Sequence, residues 1–389
     1  MWRFEYKNNK KEYIKITYNV YMKLIFKTEE LLEKLKNIAP TAEAKQTLVI
    51  LGNVKVSVTD NVATFIASDL EIQVTTTVAC VSDENGLFTI PAKKLLEICS
   101  ALSAYDEITL YYDGKKVDIT AGKSKVSLQT LDASDYPHMS IEKGSNSITI
   151  TNEELLKIIT RTSFAMAYQD ARHFLNGLHI CTQEGMIVAV CTDGHRLAKY
   201  TSLIKSDLDI SIIIPRKAIT EINRIISAFN DNKEQIVEIN VTNNMVMFTI
   251  GEFILISKLI EGSYPNFNKV IPEKTQSKVK INKQILKNSL NIISKVVNQQ
   301  YKGVKLTPSP NSLHLISCNT ESEVGEDVVD AIYDGDEISI GFNISYLQDV
   351  LDVIDGDTLD ICINDQNSGC ILLDENTNES IFVIMPMRV

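Results

Sequence analysis

Residues 192–196, Thr-Asp-Gly-His-Arg, bring a carboxylate, an imidazole and a guanidinium within four positions of one another. Asp193 and His195 are two apart at a turn, so both side chains can converge, as acid–base chemistry requires. A nucleophilic triad also needs a serine beside the base, and no Gly-x-Ser-x-Gly elbow occurs. A metal centre needs further ligands. The other histidines, His138, His173, His179 and His314, show neither HxH nor HxxxH spacing. The 16 glycines never form GxG, so a phosphate-cradling loop is missing. An enzyme on a β-rich scaffold, a hydrolase using Asp193 and His195, therefore lacks parts, and recognition becomes the competing reading.

The totals narrow the choice. The 389 residues are 44% apolar and 23% charged, enough for two to four globular domains. No run of about 18 apolar residues suits a membrane span. Seven cysteines (80, 99, 181, 191, 318, 362, 370) form no CxxC pair. That argues against zinc and a disulfide framework, and for a reducing, cytoplasmic setting. The net charge of −11 argues against a whole surface that grips phosphates tightly, while leaving room for a local basic face. Residues 1–21 are basic and aromatic without a signal peptide's apolar core. They are read as an extension of unknown role, or as translation from an upstream start, because Met22 opens a clean domain-like run.

The elements that must position these residues repeat three times. Three helix starts look alike: KTEELLEKLKNIA from Lys27, TNEELLKIITRTSFAM from Thr151 and NKQILKNSLNIISKVV from Asn282. Each offers Thr or Asn as an N-cap before an apolar stripe at helical spacing. A second helix follows in each: from Pro91, from Pro215 and from Asn343. Alternating strand–turn–strand segments fill the gaps, and Asp113-Gly114 marks one hairpin. The expected fold is α+β: three tandem copies of a two-helix, antiparallel-sheet module, with helices over one sheet face. The expected boundaries are 22–147, 148–272 and 273–389, and segments 131–139 and 259–267 read as linkers.

The repeat supplies a control for the opening residues. The turn matching 192–196 carries Asp69 in the first copy and Asn319 in the third. Asp193 thus reads as turn chemistry as readily as function. Gly194, His195 and Arg196 have no counterparts; they are solvated surface groups or functional ones.

The chain resembles the beta subunit of bacterial DNA polymerase III, the sliding-clamp family, over residues 22–389. The resemblance rests on TDGHRLA (192–198), QDARHFLNG (169–177), IIPRKAI (213–219), YPNFNKVIP (264–272), GFNISYLQDVL (341–351) and the terminal VIMPMRV. It implies a head-to-tail homodimeric ring of six modules, with helices lining a hole that encircles double-stranded DNA. It implies no cofactor and no catalysis; the ring tethers the replicative polymerase, a clamp loader and other clients. Clients of the family insert a peptide, broadly Gln-Leu-x-Leu-Phe, between modules two and three. The resemblance places the apolar subsite at Leu175, Thr192, Gly194, His195, Arg196, Leu197, Pro265, Val270, Val383 and Met385. The adjoining subsite is Asn343, Tyr346, Pro386, Met387 and Arg388. Lys269 stands where an Arg is common at the pocket edge, and it lacks the planar fork. DNA contacts are implied at Lys45, Gln169, His173, Phe174 and Lys217; His173 reads equally as a plain surface residue. The dimer contact is implied at Val126 and Leu128 against Val296 and Val297 of the partner, and these four read equally as core of their own modules. The candidate inner helices carry thirteen Lys or Arg; the second helix of the third copy instead carries Asp349, Asp352 and Asp355, with no base. A clamp-like paralogue without replication duty remains a second reading of the same pattern.

Overall fold

The computed structural model describes residues 22–43, 48–141, 146–229, 232–272, 275, 277–298, 300–375 and 377–388. These gather into two compact units. One holds the described residues up to Asp69 together with Thr75–Pro137, and the other holds Leu70–Val74 and His138 onward.

The α-helices among the described residues are α1 (Thr28–Ile38), α2 (Ala92–Ala101), α3 (Asn152–Thr162), α4 (Arg216–Ser227), α5 (Lys283–Ile293) and α6 (Ile344–Val353). They fall into three pairs that pack as α1 on α2, α3 on α4 and α5 on α6. The strands repeat with them. Each odd-numbered helix is fed by a strand that pairs antiparallel with the strand after the even-numbered helix: Met22–Lys27 with Glu107–Tyr112, Ser147–Thr151 with Ile236–Val241, and Ser277–Asn282 with Thr358–Ile363. Each even-numbered helix follows a strand that pairs with the strand two hairpins earlier: Gly86–Pro91 with Asn53–Thr59, Ser211–Pro215 with Gly177–Gln183, and Ile340–Asn343 with Gly303–Ser309. The fold is therefore α+β in three copies, built because alternating strands bury one face under each amphipathic helix pair.

Capping differs from expectation at one helix. Thr151 accepts from the Glu154 N–H at 3.2 Å and Asn282 from the Ile285 N–H at 3.1 Å. Thr28 does not cap α1. It is the first helical residue, its side chain is buried, and its hydroxyl finds no partner among the described residues. The helix starts one residue earlier than the capping pattern implies, so its N-cap position falls on Lys27, which makes no side-chain capping bond. The segments read as linkers are packed. The Tyr136 hydroxyl donates to the Asn53 carbonyl and accepts from the Ser68 N–H at 3.0 Å. The Tyr264 ring stacks on His179 with centroids 4.5 Å apart and planes 7° from parallel. His179 is itself buried, its Nδ1 lies 3.1 Å from the Ile212 carbonyl, and burial lowers its pKa, so it is a neutral core histidine.

The second unit contains one twelve-stranded sheet in which copy two continues into copy three. The joint is the pairing of Arg196–Lys205 with Ser380–Ile384, where Arg196 faces Ile384 and Leu197 faces Val383. A cluster including Val190, Leu197, Phe267, Ile371 and Val383 fills the space beneath it. The three acids that look misplaced on a helix meant to be basic are each paired. Asp349 meets Arg196, Asp352 meets Lys287 at 2.6 Å, and Asp355 meets Arg161. α6 is thus fastened by bases from a strand, from α5 and from α3.

In the first unit, Ser124–Gln129 is the last strand of a five-stranded sheet and, among the described residues, pairs only with Lys116–Ala121. Asp118 ties the two strands together. The Lys125 ammonium, 2.8 Å away, and the Ser127 hydroxyl hold its pKa down at about 2. A depressed carboxyl stabilises the fold above its unfolded value of about 4, and that stabilisation is lost as pH falls towards 2. Amide protection in Ser124–Gln129 should therefore drop between about pH 4 and 2 in the intact chain and show no such step in Asp118→Asn. An equal step in both would remove this carboxylate from the account.

Candidate functional site

The turn at 192–196 is built by its own side chains. The Thr192 hydroxyl accepts from the Gly194 N–H at 3.1 Å and donates to the Arg196 carbonyl at 2.6 Å. Asp193 Oδ1 accepts from the N–H groups of His195 and Arg196, at 2.9 and 3.0 Å, and Oδ2 accepts from Arg196 Nε at 3.1 Å. Gly194 has φ +90°, a conformation that favours glycine, and a Cβ there would lie 3.1 Å from the Arg172 guanidinium. The Asp193 carboxylate is occupied by backbone and Arg196, so it does not orient the His195 imidazole, which is exposed. The acid–base pair that the spacing suggests is therefore not assembled. No group of three or more His, Cys, Asp or Glu suited to a metal occurs among the described residues.

Arg196 is the structural centre of the site. Nε reaches Asp193, Nη1 reaches Asp349 on α6, and Nη2 donates to the Phe164 carbonyl at 2.6 Å. The guanidinium carbon sits 4.3 Å from the Tyr346 ring centroid and 5.5 Å from that of Phe164. This side chain is mostly buried and bonded on every nitrogen, which excludes the solvated-surface reading for it. Beside it, Arg172 pairs with Asp170 through Nε and Nη2 at 3.0 and 2.9 Å and donates to the Asp193 carbonyl at 3.3 Å. That guanidinium holds the Asp170 pKa at about 2.

The last residues of the chain complete the site. The Met385 N–H donates to the His195 carbonyl at 2.9 Å, and the Met387 N–H to the Gly341 carbonyl at 2.8 Å. The backbone of 385–387 thus bridges the turn of copy two to the strand before α6. Beside the 192–196 turn opens a cavity of about 260 Å³ lined by Leu175, Thr192, Gly194, Arg196, Leu197, Pro265, Val270, Val383 and Met385, with Arg172 and Phe174. Its wall is mainly aliphatic and its rim polar, which suits an apolar anchor on a peptide. Met385 adds an adaptable thioether.

Other expected residues fall elsewhere. His195 and Lys269 do not line this cavity; both are exposed, Lys269 ending the short turn Phe267–Lys269. Asn343 caps α6, its Oδ1 accepting from the Ser345 N–H at 2.9 Å. Tyr346 stacks under Arg196, Pro386 and Met387 are half-buried, and Arg388 is exposed. Lys45 lies outside the described residues. Gln169, at φ 54°, and His173 are exposed, and Lys217 is half-buried as the second residue of α4. Phe174, implied as a DNA contact, lies in the cavity wall. Val126 is 37% exposed, whereas Leu128 and Val297 are buried and Val296 is half-buried. Arg172 escaped the sequence reading as a lining residue, although Asp170-x-Arg172 within QDARHFLNG carried the signal of a fixed ion pair.

Comparison with known proteins agrees with this architecture. Models of the DNA polymerase III beta subunit match in order: the N-terminal domain over 22–140, the central domain over 149–266 and the C-terminal domain over 268–388. The beta sliding clamp of Haemophilus influenzae is 32% identical over 370 residues, 95% of this chain and 100% of that protein. That of Pseudomonas putida is 34% identical over 373 residues, with the same coverage. The crystal structure of DNA polymerase III subunit beta from Pseudomonas aeruginosa superposes with a TM-score of 0.89 at 33% identity, covering 94% of this chain and 100% of that one. A second structure from that organism, a sliding clamp bound to griselimycin, gives a TM-score of 0.89 at 34% identity and covers 95% of this chain and 100% of that one. The chain belongs to the DNA polymerase III beta subunit family.

Proposed function

We propose that the chain is a sliding clamp: a homodimeric ring of three-module protomers, 22–147, 148–272 and 273–389, that encircles duplex DNA and tethers the replicative polymerase, its loader and other clients. It acts in the cytoplasm and turns nothing over. One observation carries this reading. A mainly aliphatic cavity lies between the 192–197 turn and Val383 and Met385 near the end of the chain, with the Met385 N–H bonded to the His195 carbonyl, and a short apolar peptide fits it. The residues implied by resemblance for the two subsites are the proposed client contacts, with Arg172 and Phe174 added.

The helical bases support enclosure rather than grip. Lys27, just before α1, pairs with Glu30, Lys157 and Arg224 pair with Glu153 and Glu221 on their own helices, and Arg161 and Lys287 pair with the acids of α6 and its end. Lys93, Lys94 and Lys295 are exposed without an ion pair among the described residues. Each neutralised phosphate adds affinity, so a partly compensated face lets a ring move. Lys45, Gln169, His173 and Lys217 are the proposed DNA contacts.

For the dimer, two open strand edges match. Among the described residues Ser124–Gln129 pairs on one side only, beside Lys123 and Lys125. In Val324–Tyr333, residues 331–333 reach Ser277–Asn282, while residues 324–330 pair, among the described residues, only with Ser312–Cys318 and carry Glu326, Asp327 and Asp330. Val296 packs onto this second edge; a Cβ at Gly325 would lie 2.4 Å from its methyl. Joining the edges between two copies continues the sheet, pairs opposite charges and covers exposed Val126, Val324 and Val328.

Retention on DNA tests enclosure. Protein placed by a clamp loader on a closed circular duplex should survive a high-salt wash and be lost when a single cut linearises the circle. Loss from the intact circle in high salt would contradict the ring.

A further inference from the structure

We infer that Gly369 sets the depth of the client cavity, and with it the size of the apolar side chain the cavity accepts. This rests on the proposed peptide-binding function. Gly369 is buried at the head of the strand Cys370–Asp374 and does not adopt a positive φ, so its backbone conformation does not call for glycine. Space does. A Cβ at Gly369 would lie 2.8 Å from Val383 Cγ1 and 3.3 Å from Met385 Sδ, and both of those side chains line the cavity.

The backbones on either side are fixed. The turn before Gly369 is held by Asp365, whose carboxylate accepts from the Asn367 and Ser368 N–H groups at 2.7 and 2.9 Å and from the Ser368 hydroxyl at 2.6 Å. Val383 sits mid-sheet, facing Leu197 on one neighbouring strand and Ile371 on the other. Neither strand can withdraw without breaking its ladder. A methyl group at position 369 must therefore be accommodated by turning Val383 and Met385 into the cavity, which overpacks the place where a client's anchor sits. Met385 can move; Val383, β-branched and buried, has few alternatives. Gly369 is a positioning residue on this account and does not itself line the cavity.

The test uses labelled Gln-Leu-x-Leu-Phe peptide and a version ending in Val, titrated with the full chain by fluorescence anisotropy. Gly369→Ala is expected to bind the Phe peptide about tenfold more weakly and the Val peptide within about twofold of the parent. Gly369→Ala combined with Val383→Ala is expected to recover most of the Phe peptide's affinity, because removing the valine methyls returns the space. Thermal melting of each variant reports folding separately. Parental affinity of Gly369→Ala for the Phe peptide would overturn the inference. So would equal loss for both peptides that Val383→Ala fails to restore. If the parent chain bound neither peptide, the client-site reading itself would fall, and the depth inference with it.

Discussion

Arg196→Met is expected to lower the stability of the second unit by about 2–3 kcal/mol and to weaken client-peptide binding together with it. The arginine joins Asp193, Asp349, the Phe164 carbonyl and the Tyr346 ring. Removing it leaves Asp193 and the carbonyl short of a donor in a largely buried place, and breaking such a pair costs about 3–5 kcal/mol when burial is complete. Asp349 is 40% exposed, so water recovers part of that loss. Methionine keeps the aliphatic stem and loses the fork, which isolates the charge and its hydrogen bonds. Arg196→Lys should fall between the two, since an ammonium cannot serve three partners in a plane. Differential scanning calorimetry should show the transition lowered by roughly 5–10 °C for Met. An unshifted transition with intact peptide binding would mean that Arg196 does not hold α6 to the turn.

Val126→Asp is expected to turn the dimer into monomers at micromolar concentration. Val126 is exposed on an open edge strand, so an aspartate there should leave the module folded. In the dimer it would face the edge that carries Glu326, Asp327 and Asp330. Loss of an apolar contact at an interface centre plus like-charge repulsion amounts to about 3 kcal/mol or more, roughly a hundredfold in the dimer Kd. Leu128 makes a poorer probe than its position on the strand suggests. It is buried opposite Val117 within its own sheet, so a charge there would unfold the module as well as separate the chains. Sedimentation equilibrium distinguishes the outcomes: a folded monomer supports the edge-to-edge contact, and an unchanged dimer excludes it.

The three-copy architecture was legible because it is written locally. A capping Thr or Asn, an apolar stripe and alternating strands recur at similar spacing, and local periodicity determines which face of each element is buried. The details that failed were also local but turned on a single position, as at Thr28, which is the first helical residue and leaves Lys27 at the N-cap. The role of Arg196 was not legible, because its partners Phe164 and Asp349 lie 32 and 153 residues away and meet it only after two copies share one sheet. The acids of α6 looked out of place for the same reason. Their bases come from α3, α5 and a strand of the preceding copy. Asp193 and His195 suggested catalysis because spacing shows which side chains can meet. It does not show that the Asp193 carboxylate is already taken by the backbone and Arg196.

The most direct measurement is the anisotropy of labelled Gln-Leu-x-Leu-Phe peptide titrated with the intact chain and with a chain lacking residues 385–389. The truncation removes Met385 from the cavity wall and the two backbone bonds that tie the last residues to His195 and Gly341, while leaving Ser380–Ile384 in the sheet. Saturable binding by the intact chain, lost in the truncated chain while it still melts cooperatively and sediments as a dimer, is the predicted result. Equal binding by both, or none by the folded intact chain, would contradict the client site on which the clamp reading rests.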